Sequence, residues 1–277
     1  MVSVLILTKN EEETIERCIE SVSWSDDIVV FDSFSEDRTV ELARRCGVRV
    51  EMRVFDNYAN QRNAALALDY TNDWILMVDA DECVSAELRD EILSTLANVP
   101  SSVDMFQMRR KDYFFGRWIK HASAYPTWFG RLVRKGAVRV EREVNEEYHA
   151  NGDVVSLQGH LIHYPFSKGL AFWFDRHNRY STMEALALVE EVGGKLSKAD
   201  FVSRTATVRR RALKQLAYRL PGRPLVVFIY LYIFRFGWVD GFPGFRYSVM
   251  RSMYEYMIDL KVAEIRHEKR MLEGEIV

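Results

Sequence analysis

The chain has 277 residues, 48% of them hydrophobic and 28% charged. That is the make-up of a folded globular protein with room for one large domain, or one domain plus an extension. A net charge of −2 excludes a molecule that holds nucleic acid by its overall charge. Cys18, Cys46 and Cys83 match no zinc or redox spacing and are odd in number, which points to a reducing compartment. Val2 to Leu7 is too short for a signal peptide and has no basic lead. No run reaches the roughly 18 apolar residues of a membrane span.

Val2 to Leu7 reads as a first buried strand. Asn10 followed by Glu13 has the spacing of a capping box. Ile15, Cys18, Ile19 and Val22 then give one apolar helix face. Asp27 to Asp32 is a second strand with an acid at its end. After the polar turn Ser33 to Thr39, Val40 to Cys46 reads as a helix that Gly47 stops. Val48 to Val54 is a third strand and Asn57 to Tyr70 a helix. Trp74 to Val78 is a short apolar run, the pattern of a strand buried on both faces. Ser85 to Leu96 is the next helix. Strand and helix alternate, which predicts a parallel sheet with right-handed crossovers. No Gly-x-Gly-x-x-Gly and no phosphate-binding Gly-x-x-x-x-Gly-Lys-Ser/Thr is present, which argues against a dinucleotide enzyme or a P-loop ATPase.

The chemistry concentrates at Asp79-Ala80-Asp81-Glu82. Ligands bind at the carboxyl ends of strands in open α/β sheets, and Asp32 and Asp79 end two strands on one rim. Asp79 and Asp81 are two apart, so an extended chain puts both carboxylates on one side. Paired carboxylates repel unless a cation lies between them. A hard divalent ion, Mg²⁺ or Mn²⁺, suits their oxygens.

The second half begins with strand-like Val103 to Arg110, then an aromatic-rich turn from Asp112 to Trp118 and a strand from Trp128 to Arg134. Val154 to Tyr164 alternates as a strand carrying His160 and His163. From Phe201 to Val239 there is no acid, but there are Arg204, Arg209, Arg210, Arg211, Lys214, Arg219, Arg223 and Arg235. Leu225 to Phe234 is an apolar run about half the length of a bilayer span. Basic residues beside such a run, with Phe228, Tyr232 and Trp238 among its aromatics, read as an anchor on an anionic membrane surface. A buried helix of a helical subdomain and a homo-oligomer contact are the alternatives. A nucleic-acid patch would need a motif that is absent. A last helix runs from Tyr247 to Leu272.

The motifs Leu7-Thr8-Lys9-Asn10-Glu11, Val29-Val30-Phe31-Asp32-Ser33, Ser35-Glu36-Asp37-Arg38-Thr39, Gln61-Arg62-Asn63 and Asp79-Ala80-Asp81-Glu82 together resemble the family 2 glycosyltransferases. The resemblance is nearest to the branch that builds lipopolysaccharide core and other bacterial envelope glycans. It covers about the first hundred residues in the family's order. Looser matches follow at Trp128 to Arg134, Glu146, His163-Tyr164, Asn178 to Tyr180 and Asp240-Gly241. The resemblance implies an α/β GT-A fold, a mostly parallel sheet flanked by helices, with a C-terminal helical extension. Residues 1–193 would form the catalytic domain, with 1–100 for the nucleotide-sugar and 101–165 for the acceptor. Residues 194–277 would form a basic, membrane-associating region, with a boundary near Gly193-Gly194-Lys195.

The activity implied is an inverting sugar transfer from a nucleotide-sugar, most often a UDP-sugar, to a lipid-linked or lipopolysaccharide-type acceptor. By resemblance, Thr8, Asn10, Asp32, Arg62 and Asp79 border the nucleotide. Asp81 and Asp79 hold the metal, Mn²⁺ or Mg²⁺, with His163 as a further ligand and His160 as its alternative. Trp128 and Arg131 belong to the acceptor segment. Inversion needs one base for the acceptor hydroxyl. The candidates are Glu141, Glu143, Glu146 and Glu147, of which Glu146 matches the branch's Glu and Glu147 is the fallback; Asn145 replaces the branch's His. The setting implied is the cytoplasm, peripheral on the inner face of the membrane. Two rivals share these features: a sugar nucleotidyltransferase, which needs a glycine-rich loop that Thr8 to Glu13 lacks, and a non-catalytic membrane adaptor on a degenerate transferase fold.

Overall fold

The computed structural model describes residues 1–141, 147–192, 205, 209 and 222–272. The chain divides into two compact units, one of Met1–Lys120 and Ala124–Lys168, the other of His121–Ser123 and Gly169–Val277.

The first unit is organised by a mixed sheet. Strands β1 (Ser3–Thr8), β2 (Asp27–Asp32), β3 (Arg49–Met52) and β4 (Trp74–Asp79) run parallel in the order β3-β2-β1-β4. Their alternation sorts the core into two layers. Val4, Ile6, Leu76 and Val78 pack on one side with Ile15 and Cys18 of α1 (Ile15–Ser21) and Leu88 and Ile92 of α4 (Ala86–Leu96). Leu5, Ile75 and Met77 pack on the other with Ala65 of α3 (Tyr58–Leu66). Both faces of β1 and β4 are therefore covered, which is why Trp74 to Val78 is apolar without interruption. Helix α2 (Thr39–Arg45) completes this half.

The other half reverses direction. Strand β5 (Glu82–Val84) is followed, after α4, by β6 (Val103–Phe114), β7 (Arg117–Trp118), β8 (Trp128–Arg134), β9 (Val138–Glu141), β10 (Glu147–Ala150) and β11 (Asp153–His163). The sheet continues from β4 as β8-β6-β11-β5, while β9 and β10 form a separate pair. Here β8 is antiparallel to β4 and β6, β11 parallel to β6, and β5 antiparallel to β11. Three pairings of the sheet build the site. Thr8 lies opposite Asp32, and Leu7 opposite Asp79, so three candidate residues share one rim. His163 lies opposite Glu82, which brings β11 beside the acidic strand end.

Several local expectations change. Helix α1 begins at Ile15 with Thr14 before it, not at Asn10. Asn10 has φ 54°, a left-handed backbone that Asn tolerates better than most residues, and its side chain is spent on the next loop. Helix α3 ends at Leu66 instead of Tyr70, and β6 absorbs part of the aromatic turn by running to Phe114.

Gly159 of β11 lies against α4: an added Cβ would stand 2.6 Å from the Leu88 Cα. Backbone cannot yield as a side-chain tip can. Gly159→Ala is expected to cost about 1–3 kcal/mol, read as a lower urea midpoint. An unchanged midpoint would mean that α4 and β11 do not approach this closely.

The second unit is helical. Helix α5 (Gly169–Val192) packs along α7 (Gly241–Leu272), and α6 (Arg223–Ile229) also packs on α7. Arg223 is buried and meets Glu255 and Asp259, both at 3.0 Å. Lys261 reaches back to Asn178, Ser181 and Thr182 of α5. The last helix begins at Gly241, six residues earlier than Tyr247, the start read from the sequence. Gly193 and Gly194, where the sequence sets a boundary, lie outside the described residues. So do Arg210 and Arg211. Among the described residues no single helix is long and apolar enough to cross a membrane; Arg223–Phe234 and Gly237–Leu272, bent by 72°, meet that test only together.

Candidate active site

The rim of the sheet carries a chain of alternating charges. Arg62 of α3 and Arg131 of β8 hold opposite oxygens of Asp79, at 3.1 and 2.6 Å. Arg131 also reaches Glu82 at 3.1 Å, and Glu82 meets Arg110 at 3.3 Å. Arg110 donates to Asp112 at 3.0 Å. Asp112 accepts from His163 Nδ1 at 2.7 Å, and His163 Nε2 stands 3.1 Å from Asp81 Oδ2. Glu82 is wholly buried, and its second oxygen takes the Asp79 backbone N–H. The repulsion expected between Asp79 and Asp81 is thus relieved by guanidinium groups and an imidazole.

These partners outweigh burial. Burial raises the Asp79 carboxyl, but Arg131 and Arg62 hold it far below the usual carboxylate range. Burial also raises Asp81 and Asp112, yet His163 and, for Asp112, Arg110 leave both low. Burial alone would lower His163; Asp81 and the hydrogen bond to Asp112 lift it instead to about 9. Its folded value therefore stands above an unfolded value of about 6.5. The stabilisation from this charged imidazole is whole below that value and fades as pH rises through about 9.

A second set of bonds joins the loops after β1 and β2. Asp32 is fully buried and accepts from the Ser35 N–H at 2.7 Å and from the Ser35 hydroxyl. Ser35 Oγ accepts from the Asn10 N–H at 2.7 Å, and Asn10 Oδ1 from the Glu36 N–H at 2.8 Å. Asp32 and Asn10 are thereby drawn together through Ser35. The Thr8 hydroxyl is buried with no partner among the described residues, and so are Nε and Nη1 of Arg131. Buried polar atoms left this way call for an explanation such as a ligand or bound water.

The other candidates fall outside this network. Trp128 is half-exposed, with the Arg109 guanidinium 5.0 Å from its ring centre. His160 bonds to the Tyr125 hydroxyl at 3.0 Å and not to Asp81. Glu146 and Glu143 lie outside the described residues. Glu147 and Glu141 are exposed and flank His149 at 4.0 and 3.6 Å. Arg110 and Asp112 carry no role in the sequence reading, and Glu82 appears there only as part of the Asp79–Glu82 motif. Their signal was weak but present: Arg110 and Asp112 are two apart, the spacing of one strand face.

Among the described residues no three His, Cys, Asp or Glu side chains surround one point as metal ligands do. The pair Asp81 and His163 nonetheless supplies a carboxylate oxygen and an imidazole nitrogen side by side, with Asp112 on the far ring nitrogen. A carboxylate behind a ligating His is the usual arrangement. Mg²⁺-type ions take few protein ligands and fill the rest with phosphate and water. At the end of β4 such an ion would find two protein donors, Asp81 and His163.

A family model described as "Glycosyl transferase family 2" matches residues 3–152, more than half of the chain. The chain belongs to this family, has the GT-A fold and is a glycosyltransferase. It is 27% identical to an uncharacterised glycosyltransferase of Rickettsia typhi, over 97% of this chain and 89% of that protein. With a glycosyltransferase of Rickettsia conorii the identity is 30%, covering 71% and 73%. With the lipopolysaccharide core biosynthesis glycosyltransferase LpsC of Rhizobium meliloti it is 27%, covering 96% and 92%. Among solved structures, the glucosyl-3-phosphoglycerate synthase of Mycobacterium tuberculosis in complex with UDP matches with a TM-score of 0.36 and 23% identity, over 40% of this chain and 44% of that one.

Proposed function

We propose that this glycosyltransferase moves a sugar, with inversion, from a UDP-sugar to a lipid-linked or lipopolysaccharide-type glycan. It works peripherally on the inner face of the cytoplasmic membrane, with Mn²⁺ or Mg²⁺ at the donor diphosphate. The observation that carries the reading is the Asp81–His163–Asp112 line at the rim where Thr8, Asp32 and Asp79 also end. The relative named for lipopolysaccharide core biosynthesis supports the acceptor class.

In this mechanism Asp81 and His163 would hold the cation, and Asp112 fixes the imidazole by its Nδ1. When bound, the cation offsets the charge that gathers on the leaving diphosphate. Asp79 was offered to the metal by the sequence, but both its oxygens are on arginines. It serves here as a fixed acceptor for the donor ribose, locked in place by Arg62 and Arg131. Thr8, Asn10 and Asp32 line the nucleotide side. The unpaired donors of Arg131 suit an anionic ligand. Glu146 takes the proton from the acceptor hydroxyl, with Glu147 as its substitute. Removing that proton as the new bond forms avoids a charged intermediate.

Donor hydrolysis tests the reading without an acceptor. A screen of nucleotide-sugars is expected to give slow, cation-dependent release of UDP from one UDP-sugar. If none is hydrolysed and UDP does not bind in the presence of Mn²⁺, the reading fails. The site also ties cation entry to a proton. His163 is protonated at neutral pH, with a value of about 9, and a ligating nitrogen must be bare. Titrating Mn²⁺ calorimetrically in buffers of different ionisation heat is expected to show about one proton released at pH 7. His163→Gln should abolish that release. Proton release unchanged by the substitution would remove His163 from the site.

A further inference from the structure

The second unit has a feature that sugar transfer does not use. Between α6 and α7 the chain forms a π-helical turn (Tyr230–Phe234) and a 3₁₀ turn (Gly237–Asp240), and the helical axis bends by 72°. Around this bend large apolar side chains face outward. Phe234 is 70% exposed, Phe242 61%, and Phe236 and Trp238 56% each. Phe236 lies 6.4 Å from Trp238 and Phe242 stacks on Phe245 at 5.9 Å, between ring centres, and exposed apolar side chains grouped in this way mark an interaction site. Phe236 has φ 59°, a conformation rare for a bulky residue.

The bend is held from within. Gly244 passes so close to the 3₁₀ turn that an added Cβ would stand 2.2 Å from the Gly237 carbonyl oxygen. Asp240 is buried at 3% exposure and accepts from the backbone N–H groups of His121 and Ala122, at 2.7 and 2.9 Å, and meets His121 Nδ1 at 2.7 Å. This matters for charge. From Phe201 to Tyr254 the sequence has ten Arg and Lys residues and one acid, which is Asp240. Its carboxylate points into the unit, so the sequence around the bend offers no acid to the outside. Arg246 is exposed with its guanidinium 4.3 Å from the Phe242 ring centre, an apolar stem beside a cationic head.

We infer that the bend at Phe234–Phe242 is a wedge that enters one leaflet of an anionic phospholipid bilayer. The inference rests on the membrane-peripheral reading above and names the element that does the work. Aromatic side chains enter the boundary between headgroups and acyl chains, where Trp and Phe are favoured. Arg246, exposed beside Phe242, meets anionic headgroups. Neither limb alone is a span, so the contact is shallow and reversible. The inward-turned Asp240 and the exposed Arg246 beside Phe242 favour an anionic lipid surface over a purely apolar partner.

The test uses the full chain and vesicles of phosphatidylcholine, alone or mixed with phosphatidylglycerol. The wild type is expected to float with the mixed vesicles, less so in high salt, and its fluorescence should be quenched by brominated lipid. Trp238→Phe should remove most of that quenching. The triple variant F234S/W238S/F242S should lose vesicle affinity by more than about tenfold and keep its rate of UDP-sugar hydrolysis. If the triple variant floats like the wild type, the wedge is overturned while membrane association through the basic segment stands. If the wild type does not float on either vesicle, both fall. A dimer in sedimentation that the triple variant abolishes, with no lipid binding, makes the patch a contact between copies and overturns the wedge. In each case UDP-sugar hydrolysis reports separately on the transferase reading.

Discussion

Replacing Asp81 with alanine is expected to lower cation-dependent donor turnover by about 10³-fold or more, with the fold retained. The size follows from where charge develops. A diphosphate leaves with its charge growing on one oxygen, and Asp81 is the carboxylate placed beside the imidazole that would share its cation. The cost to folding is smaller. Asp81 is one of two carboxylates on His163, and Asp112 keeps the other ring nitrogen at 2.7 Å. Loss of one such bond costs about 1–3 kcal/mol. A readout free of turnover exists. Asp81 is the main group lifting His163 to about 9 against burial, so the imidazole titration followed by NMR should move down in the variant. Full activity in Asp81→Ala would sink the cation role, and an unmoved titration would sink the contact itself.

The sheet half of this arrangement was legible in the sequence because burial on both faces leaves a signature. Val4 to Ile6 and Ile75 to Val78 are all fully buried, and each was an apolar run with no polar break. The acids at Asp32 and Asp79 followed from strand ends alone. Other parts were hidden for physical reasons. Asn10 has the spacing of a cap, yet its side chain bonds across to the Glu36 N–H; local spacing does not reveal a loop 26 residues away. Glu82 stands in the sequence only as the last acid of the Asp79–Glu82 motif. It is wholly buried because β5 pairs with β11 and Arg131 and Arg110 arrive from two other strands. Such pairing is set by topology, and no period within one segment encodes it. The C-terminal bend was visible as composition, an apolar run with basic neighbours, but its exposure was not. Only the turn geometry shows which aromatics face out and that Asp240 faces in.

Arg131→Met is expected to be among the most destabilising single substitutions in the first unit, by about 3–5 kcal/mol. The Arg131 side chain is 4% exposed and joins Asp79, 28% exposed, to Glu82, which is 0% exposed. Removing the shared cation leaves two carboxylates short of a partner in a poorly hydrated place. Arg62 still holds Asp79 and Arg110 still holds Glu82, so the loss falls short of a complete exposure of both charges. The pair Arg38–Glu41 provides the contrast. It is similarly close at 3.2 Å but 60% and 56% exposed, and Arg38→Ala should leave the urea midpoint essentially unchanged. Glu82→Gln added to Arg131→Met removes one of the stranded charges and should recover part of the loss, although Arg110 then loses a charged partner. Urea midpoints of these three variants separate the two accounts. A drop below about 1 kcal/mol for Arg131→Met, equal to that of Arg38→Ala, would mean that water reaches the rim freely and that the alternating charges are a solvated surface. Recovery in the double variant would place the cost in the unpaired carboxylate, not in the lost packing of the arginine stem.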